Sequence, residues 1–134
     1  SKVGNPLKNF RVGWNLCVGR FMRVNEILAQ RTTNEGSEVT IEGIFVMVRG
    51  IGYFVSSMGD IDETSCAIMV DFHGLESCLL SSVPAYGGGK YSYCDKAVVS
   101  GVLLASSRAD FPCAIGEIHD FTIYKYGEGV SVNL

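Results

Sequence analysis

Residues 38–49, EVTIEGIFVMVR, change their hydrophobic pattern at a single glycine. Before Gly43, apolar and polar residues alternate, which is typical of a strand with one buried face. After Gly43, five apolar residues follow without interruption, which indicates a strand that is covered on both faces. A strand that changes its surroundings at a glycine can bend there from one sheet into another. The stretch therefore predicts the long first strand of a small closed β-barrel.

Turn signals divide the rest of the chain into short elements around this strand. The spacing of apolar residues predicts an amphipathic helix over about residues 20–30 and a second helix over residues 75–83, which ends before Pro84. Further strands are predicted over residues 53–57, 66–72, 96–106, 121–126 and 130–134. Residues 86–93, YGGGKYSY, are expected to form a loop, and residues 114–118 a helical turn.

The order of these elements is long strand, strand, strand, helix, strand, strand. Three segments carry a resemblance: EVTIEGIFVMV, LESCLLSSV after the third strand, and AVVSGVLLA followed by FPCAIGEIHDFTIYKYG. Over residues 38–134 the chain resembles the OB-fold, a five-stranded, partly open barrel. We therefore expect a mainly β protein with an OB-like barrel and a short helix after the third strand. Residues 1–37 are expected to form an N-terminal arm and helix, either packed on the barrel or flexible.

Charge is distributed unevenly along the 134 residues, whose net charge is -3. Residues 1–31 hold six basic residues and one acidic residue, a net charge of +5, whereas residues 32–134 hold five basic and thirteen acidic residues, a net charge of -8. Small acidic domains of this kind resemble bacterial immunity proteins, which are cytoplasmic inhibitors that plug cognate toxin domains, often nucleases. The resemblance implies a basic protein partner, because carboxylates speed the encounter with a cationic surface.

The predicted partner face combines an acidic loop with tyrosines. Its residues are Asp60, Asp62 and Glu63 in the loop GDIDETS, and Tyr86, Tyr91 and Tyr93 in YGGGKYSY. Tyrosines beside carboxylates supply the aromatic contacts that interfaces favour. The competing interpretation is that the acids only keep the domain soluble and the tyrosines cover the core.

Binding of single-stranded nucleic acid is the alternative function. Such proteins need a basic groove along the backbone and aromatic side chains on which bases stack. Arg49, Tyr53, Lys90 and Lys96 are the residues that would form this face. The thirteen acids of residues 32–134 would repel phosphate, so nucleic acid is the less favoured partner.

No pattern in the sequence carries recognised catalytic chemistry. His73 and His119 each lie near an acid, and Cys94 can be combined with His73, but no local signature of a nucleophile is present. Residues 60–63 fail the calcium-loop pattern, and residues 87–90, GGGK, lack the spacing of a phosphate-binding loop. We therefore expect a non-enzymatic binding protein with no metal and no cofactor.

The cysteines and the hydropathy pattern indicate the cellular compartment in which the protein is expected to lie. The five cysteines are scattered and form no CxxC motif, which favours a reducing environment. No run approaches the roughly 20 apolar residues that a membrane helix needs, and SKVGNPLKNF has no apolar signal region. We expect a cytoplasmic protein without a membrane partner, and its oligomeric state stays open.

Overall fold

The structure is a computed structural model that describes residues 20–134. The predicted arm at residues 1–18 lies outside the described residues. The strands are β1 (Arg20–Arg23), β2 (Glu38–Val48), β3 (Ile51–Val55), β4 (Ile68–Val70), β5 (Tyr93–Leu104), β6 (Cys113–Lys125) and β7 (Glu128–Ser131). The helices are α1 (Val24–Ala29), α2 (Arg31–Asn34) and α3 (Leu75–Ser82), with 3-10 turns at Met58–Asp60 and Thr64–Cys66. None of the helices within residues 20–134 is long and apolar enough to cross a membrane.

Five strands close into a barrel in the order β2, β3, β4, β6, β5, and β5 pairs back with β2. The neighbouring strands are antiparallel except for β4 and β6, which are parallel. This order, with α3 between β4 and β5, confirms the predicted OB-like barrel and its helix after the third strand. β1 extends the sheet by parallel pairing with the first half of β2, and β7 forms a hairpin with the end of β6.

Gly43 is the residue at which β2 exchanges one neighbouring strand for another. Residues 39–42 pair with β1, and residues 44–48 pair with β3. A Cβ atom at Gly43 would lie 2.8 Å from the carbonyl oxygen of Val55 and 2.9 Å from a methyl carbon of Val24. Because these contacts leave no room for a side chain, the glycine lets β1, α1 and β3 meet on one edge of β2.

The barrel interior is filled by aromatic rings. The ring centre of Phe45 lies 5.5 Å from that of Phe54, 5.1 Å from that of Phe121 and 6.2 Å from that of Tyr93. The Tyr93 hydroxyl donates a hydrogen bond to the carbonyl oxygen of Val83 at 2.7 Å. This bond satisfies the one polar group that the tyrosine brings into the core.

A second apolar cluster lies on the outside of the barrel, over β2, β3 and β4. It contains Val46, Tyr53, Val55, Ala67, Met69, Phe111 and Ala114, with Ile61 and Tyr91 packed against it. The loops at residues 56–67, 83–92 and 105–112 supply its outer residues. The protein therefore covers this barrel face with its own loops, which explains the unbroken apolar run after Gly43.

Two sequence-based predictions of local structure were wrong in detail. Arg20–Arg23 form β1 rather than the first turn of a helix, because they pair with the open edge of β2. Residues 114–118 lie in β6 rather than in a helical turn, because the start of β6 pairs with β4 and is buried on both faces. A register shift opposite Gly101, with Glu117 at φ 46°, interrupts the alternation that would have marked this strand.

Candidate functional site

Two loops that the sequence assigned to the partner face lie against each other outside the barrel. Asp62, in the loop between β3 and β4, accepts a hydrogen bond from the Tyr91 hydroxyl in the loop between α3 and β5. The Lys90 ammonium donates a second hydrogen bond to the same carboxylate at 3.0 Å. We call these three residues the loop contact. The Tyr53 hydroxyl donates to the carbonyl oxygen of Ile61, which ties the acidic loop to β3.

The loop contact shifts the proton affinity of its members. Hydrogen bonds from Tyr91 and Lys90 lower the pKa of the Asp62 carboxyl. The hydrogen bond to Asp62 raises the pKa of the Tyr91 hydroxyl and also that of the Lys90 ammonium. The carboxylate, the phenol and the ammonium are therefore the favoured forms at neutral pH. Because the Lys90 and Asp62 side chains are each 59% exposed, their ion pair joins the two loops but contributes little to the stability of the fold.

A buried ion pair contacts both the ring and the hydroxyl group of Tyr86. The Lys125 ammonium lies 2.8 Å from an Asp95 carboxylate oxygen, and the two side chains are only 7% and 8% exposed. The Tyr86 hydroxyl donates a hydrogen bond to the other oxygen of Asp95 at 2.9 Å, and this bond raises the pKa of that hydroxyl. The Lys125 nitrogen also lies 3.9 Å from the centre of the Tyr86 ring, a cation–π contact. The Tyr86 ring is thereby held in place while 48% of the residue stays exposed.

The structure brings five of the six predicted partner-face residues onto these two loops. Asp62, Glu63 and Tyr86 are exposed, whereas Asp60 and Tyr91 are half-buried. Tyr93 is different, because it is the first residue of β5 and its ring is fully buried against Phe45. The prediction of Tyr93 as a contact residue therefore needs correction, since no partner can reach its side chain without opening the barrel.

The residues predicted for nucleic acid are divided between two places. Arg49, Tyr53 and Lys90 contribute to a cleft of about 250 Å³, while Lys96 lines a different groove. Tyr53 is only 4% exposed, and its ring packs against that of Phe111 at 5.4 Å. It therefore offers no free face on which a base can stack.

The cleft contains charges of both signs. Asp62 and Asp110 line it together with Arg49 and Lys90. Lys90 is paired with Asp62, and Asp110 is paired with Arg108 at 3.3 Å. OB-folds bind oligonucleotides on the outer face of the second and third strands. Here that face lies under the protein's own loops, and Lys90 at its edge is already paired with a carboxylate.

The ion pair of Asp95 and Lys125 was not predicted from the sequence. A signal for it was present, because Lys125 follows Phe121 and Ile123 at alternate positions of a strand. Alternation places Lys125 on the face that is directed into the barrel. A lysine on an apolar face needs a buried counterion, and Asp95 occupies the matching position at the start of β5.

The histidines and Cys94 show no catalytic arrangement within residues 20–134. The Cys94 sulfur lies 3.8 Å from the sulfur of Met58, and no hydrogen bond in the described part of the chain joins it to a histidine. Burial raises the pKa of the Cys94 thiol, which lowers the fraction of nucleophilic thiolate. His119 of β6 contacts Glu38 of β2, across the intervening strand β5. Across the described residues, no three His, Cys, Asp or Glu side chains lie close enough to hold a metal ion.

The strand order is that of an OB-like β-barrel. Comparisons with protein-family models, with curated proteins and with solved structures found no significant match.

Proposed function

We propose that this protein is a non-enzymatic binding protein that engages a basic protein partner through its two joined loops. The observation that carries the proposal is the loop contact, because Asp62 joins an acidic loop to a tyrosine-bearing loop in one surface. We call this surface the partner surface, and it comprises Asp60, Asp62, Glu63, Tyr86 and Tyr91. Tyrosine is one of the residues that contribute most to the affinity of protein interfaces.

The charge of the partner surface supports a cationic partner. Its three carboxylates face a single local cation, Lys90, which is already paired with Asp62. Among the described residues, Asp60 and Glu63 form no ion pair, so their charges stay available. Carboxylates at the rim of an interface mainly raise the association rate with a positively charged protein.

The particular form that we propose is an immunity-type inhibitor of a basic, nuclease-like toxin domain. Residues 32–134 carry a net charge of -8, from five basic and thirteen acidic residues. A nuclease binds phosphates through a basic surface, so an acidic barrel can compete with its substrate. The covered Tyr53 ring and the carboxylates at the cleft favour this proposal over binding of single-stranded nucleic acid.

Affinity measurement with matched charge reversals tests the proposal. The tagged chain would be used to capture protein from a nuclease-treated extract of the source cell, and the captured partner would then be purified. Calorimetry would then measure the Kd of the purified partner for the wild type, for Glu63→Lys and for the control Glu35→Lys. Glu35 is also exposed, but it lies beside the end of β5, far from the loops at the start of that strand. We expect Glu63→Lys to raise the Kd about ten-fold and Glu35→Lys to change it little.

Two outcomes would contradict the proposal. Equal effects of the two reversals would mean that overall charge, and not the partner surface, governs binding. Salt-sensitive binding of a fluorescent oligonucleotide of about 15 nucleotides, lost in Lys96→Glu and kept in Glu63→Lys, would favour the nucleic-acid alternative. The inhibitor form is tested separately, by assaying the nuclease activity of the purified partner with and without this chain.

A further inference from the structure

A groove of about 460 Å³ opens on the outside of β2 at Gly43. Its floor is formed by residues 42–44, and its walls come from the junction of β1 with α1, from Met58 after β3, and from residues 94–96 of β5. We call it the bend groove. Its volume falls within the range of small-molecule sites. It shares no residue with the partner surface or with the smaller cleft.

The bend groove follows from the backbone path and not from a chance arrangement of side chains. β1 leaves the edge of β2 at Glu42, and β3 begins to pair with β2 only at Ile44. The groove opens where these two strands part along the edge of β2, whereas the space that a Cβ at Gly43 would need is already filled by Val55 and Val24. The groove is therefore preformed, as sites for small ligands commonly are.

Charges of both signs line the groove without neutralising one another. Arg23 pairs in register with Glu42, and Lys96 pairs in register with Ile44, so Glu42 lies between the two cations. Within residues 20–134, no ion pair joins Glu42 to either cation, although all three side chains belong to neighbouring strands. Asp95 also lines the groove, but its charge is balanced by Lys125.

The remaining wall is apolar. Ile44 lies on the floor, and the sulfur atoms of Met58 and Cys94 approach each other to 3.8 Å beside it. Sulfur atoms make favourable contacts with aromatic rings. The groove thus offers two cations, one carboxylate and a soft apolar wall within one small volume.

We propose that the bend groove binds a small zwitterion with an apolar side chain, such as a free aromatic α-amino acid. Arg23 and Lys96 would bind its carboxylate, since guanidinium and ammonium groups form charge-assisted hydrogen bonds with that group. Glu42 would bind its ammonium group, and the wall of Met58 and Cys94 would contact its ring. The proposal is independent of the partner surface.

Nuclear magnetic resonance titration of the purified wild-type chain tests this proposal. The probe is L-phenylalanine, and saturable shifts of backbone amides are expected at residues 23–25, 42–44 and 94–96. Three analogues serve as controls: N-acetyl-L-phenylalanine lacks the ammonium charge, L-phenylalanine amide lacks the carboxylate, and glycine lacks the ring. Each is expected to bind at least about ten-fold more weakly than L-phenylalanine.

Two variants locate the binding site. Lys96→Met and Glu42→Gln each remove one charge from the groove and are expected to raise the Kd about ten-fold. Arg49→Met removes the same charge at the exposed turn after β2 and is expected to leave the Kd unchanged. Absence of saturable shifts in the wild type up to about 10 mM L-phenylalanine would overturn the proposal. Equal affinity for the N-acetyl analogue would also overturn it, because the site would then recognise an anion only.

Discussion

At the scale of single residues, two hairpin turns each hold an exposed side chain in a backbone conformation that favours glycine. Tyr126 and Gly127 both have positive φ, at 52° and 83°, in the two-residue turn between β6 and β7. Arg49 and Gly50, at 53° and 80°, form the same kind of turn between β2 and β3. Such turns favour Asn or Gly at the first position. Strained residues often cluster at functional surfaces, and Arg49 lies at the edge of the cleft.

Tyr126→Asn is expected to stabilise the protein. The tyrosine is 97% exposed, so its ring contributes little packing that would offset the strain of a positive φ. We expect the free energy of unfolding to rise by about 0.5–1 kcal/mol, measured by urea denaturation. Tyr124→Asn, in the regular part of β6, is the control and should lower stability. A loss of stability in Tyr126→Asn would show that the exposed ring makes contacts of its own.

Lys125→Met is expected to destabilise the barrel strongly. It leaves the buried Asp95 carboxylate without its cation and removes the support of the Tyr86 ring. Breaking one partner of a buried pair costs about 3–5 kcal/mol, whereas replacing both partners by apolar residues costs much less. Denaturation of Lys125→Met, Asp95→Leu and the double variant measures the difference. A double variant as unstable as the sum of the single ones would contradict this account.

At the scale of elements, the change of neighbours along β2 organises the described part of the chain. Its first half pairs with β1 and its second half with β3, while β5 runs along the other edge of both halves. The same arrangement buries Val24 of α1 against Gly43 and opens the bend groove beside it. The close packing of α1 and β3 on β2 therefore depends on the glycine at position 43.

Gly43→Ala is expected to lower the free energy of unfolding by about 1–3 kcal/mol, a cost typical of overpacking. Its Cβ would lie 2.8 Å from a backbone oxygen that cannot move without displacing β3. Gly87→Ala is a matched control, because a Cβ there would meet nothing within 4 Å. Equal stability of the two variants, compared by thermal denaturation, would mean that β3 and α1 can shift away from Gly43 at little cost.

At the scale of the whole molecule, two tyrosine hydroxyl groups make the stability of the fold depend on pH in the alkaline range. Burial raises the pKa of the Tyr93 hydroxyl, and burial followed by the nearby charge of Asp62 raises that of Tyr53. A group whose pKa is raised on folding stabilises the native state fully below its pKa in the unfolded chain. For tyrosine that value is about 10. The contribution is lost as the pH rises through the higher value of the folded state.

We therefore expect stability to fall as the pH is raised above about 10. Tyr93→Phe should weaken this dependence, although at neutral pH it loses the hydrogen bond to Val83, worth about 1 kcal/mol. Tyr124→Phe removes an exposed hydroxyl and serves as the control. The measurement is urea denaturation at a series of pH values from 8 to 11. An alkaline transition that is identical in Tyr93→Phe and the wild type would exclude Tyr93 as its source.

Much of the fold was predictable because the sequence patterns that indicate its strands and helices are local. The alternation before Gly43, the unbroken run after it and the helix that ends before Pro84 each depend on neighbouring residues. The partner surface was predictable to a smaller extent. The sequence grouped Asp62 with Tyr91, but it placed Tyr93 on the same surface, although Tyr93 begins a strand and faces the core.

The sequence by itself determined the approximate positions of most barrel strands along the chain, the bend of β2 at Gly43 and the acidity of residues 32–134. Hydrophobic periodicity, the position of a glycine and the number of charges are local properties of the chain, so they can be read without knowing which distant residues come into contact. Only the tertiary structure decided which side chains remain available. Phe111 covers Tyr53, and Lys125 pairs with Asp95. Both contacts join residues that are far apart in sequence. Burial and ion pairing depend on such distant contacts, because they follow from three-dimensional packing.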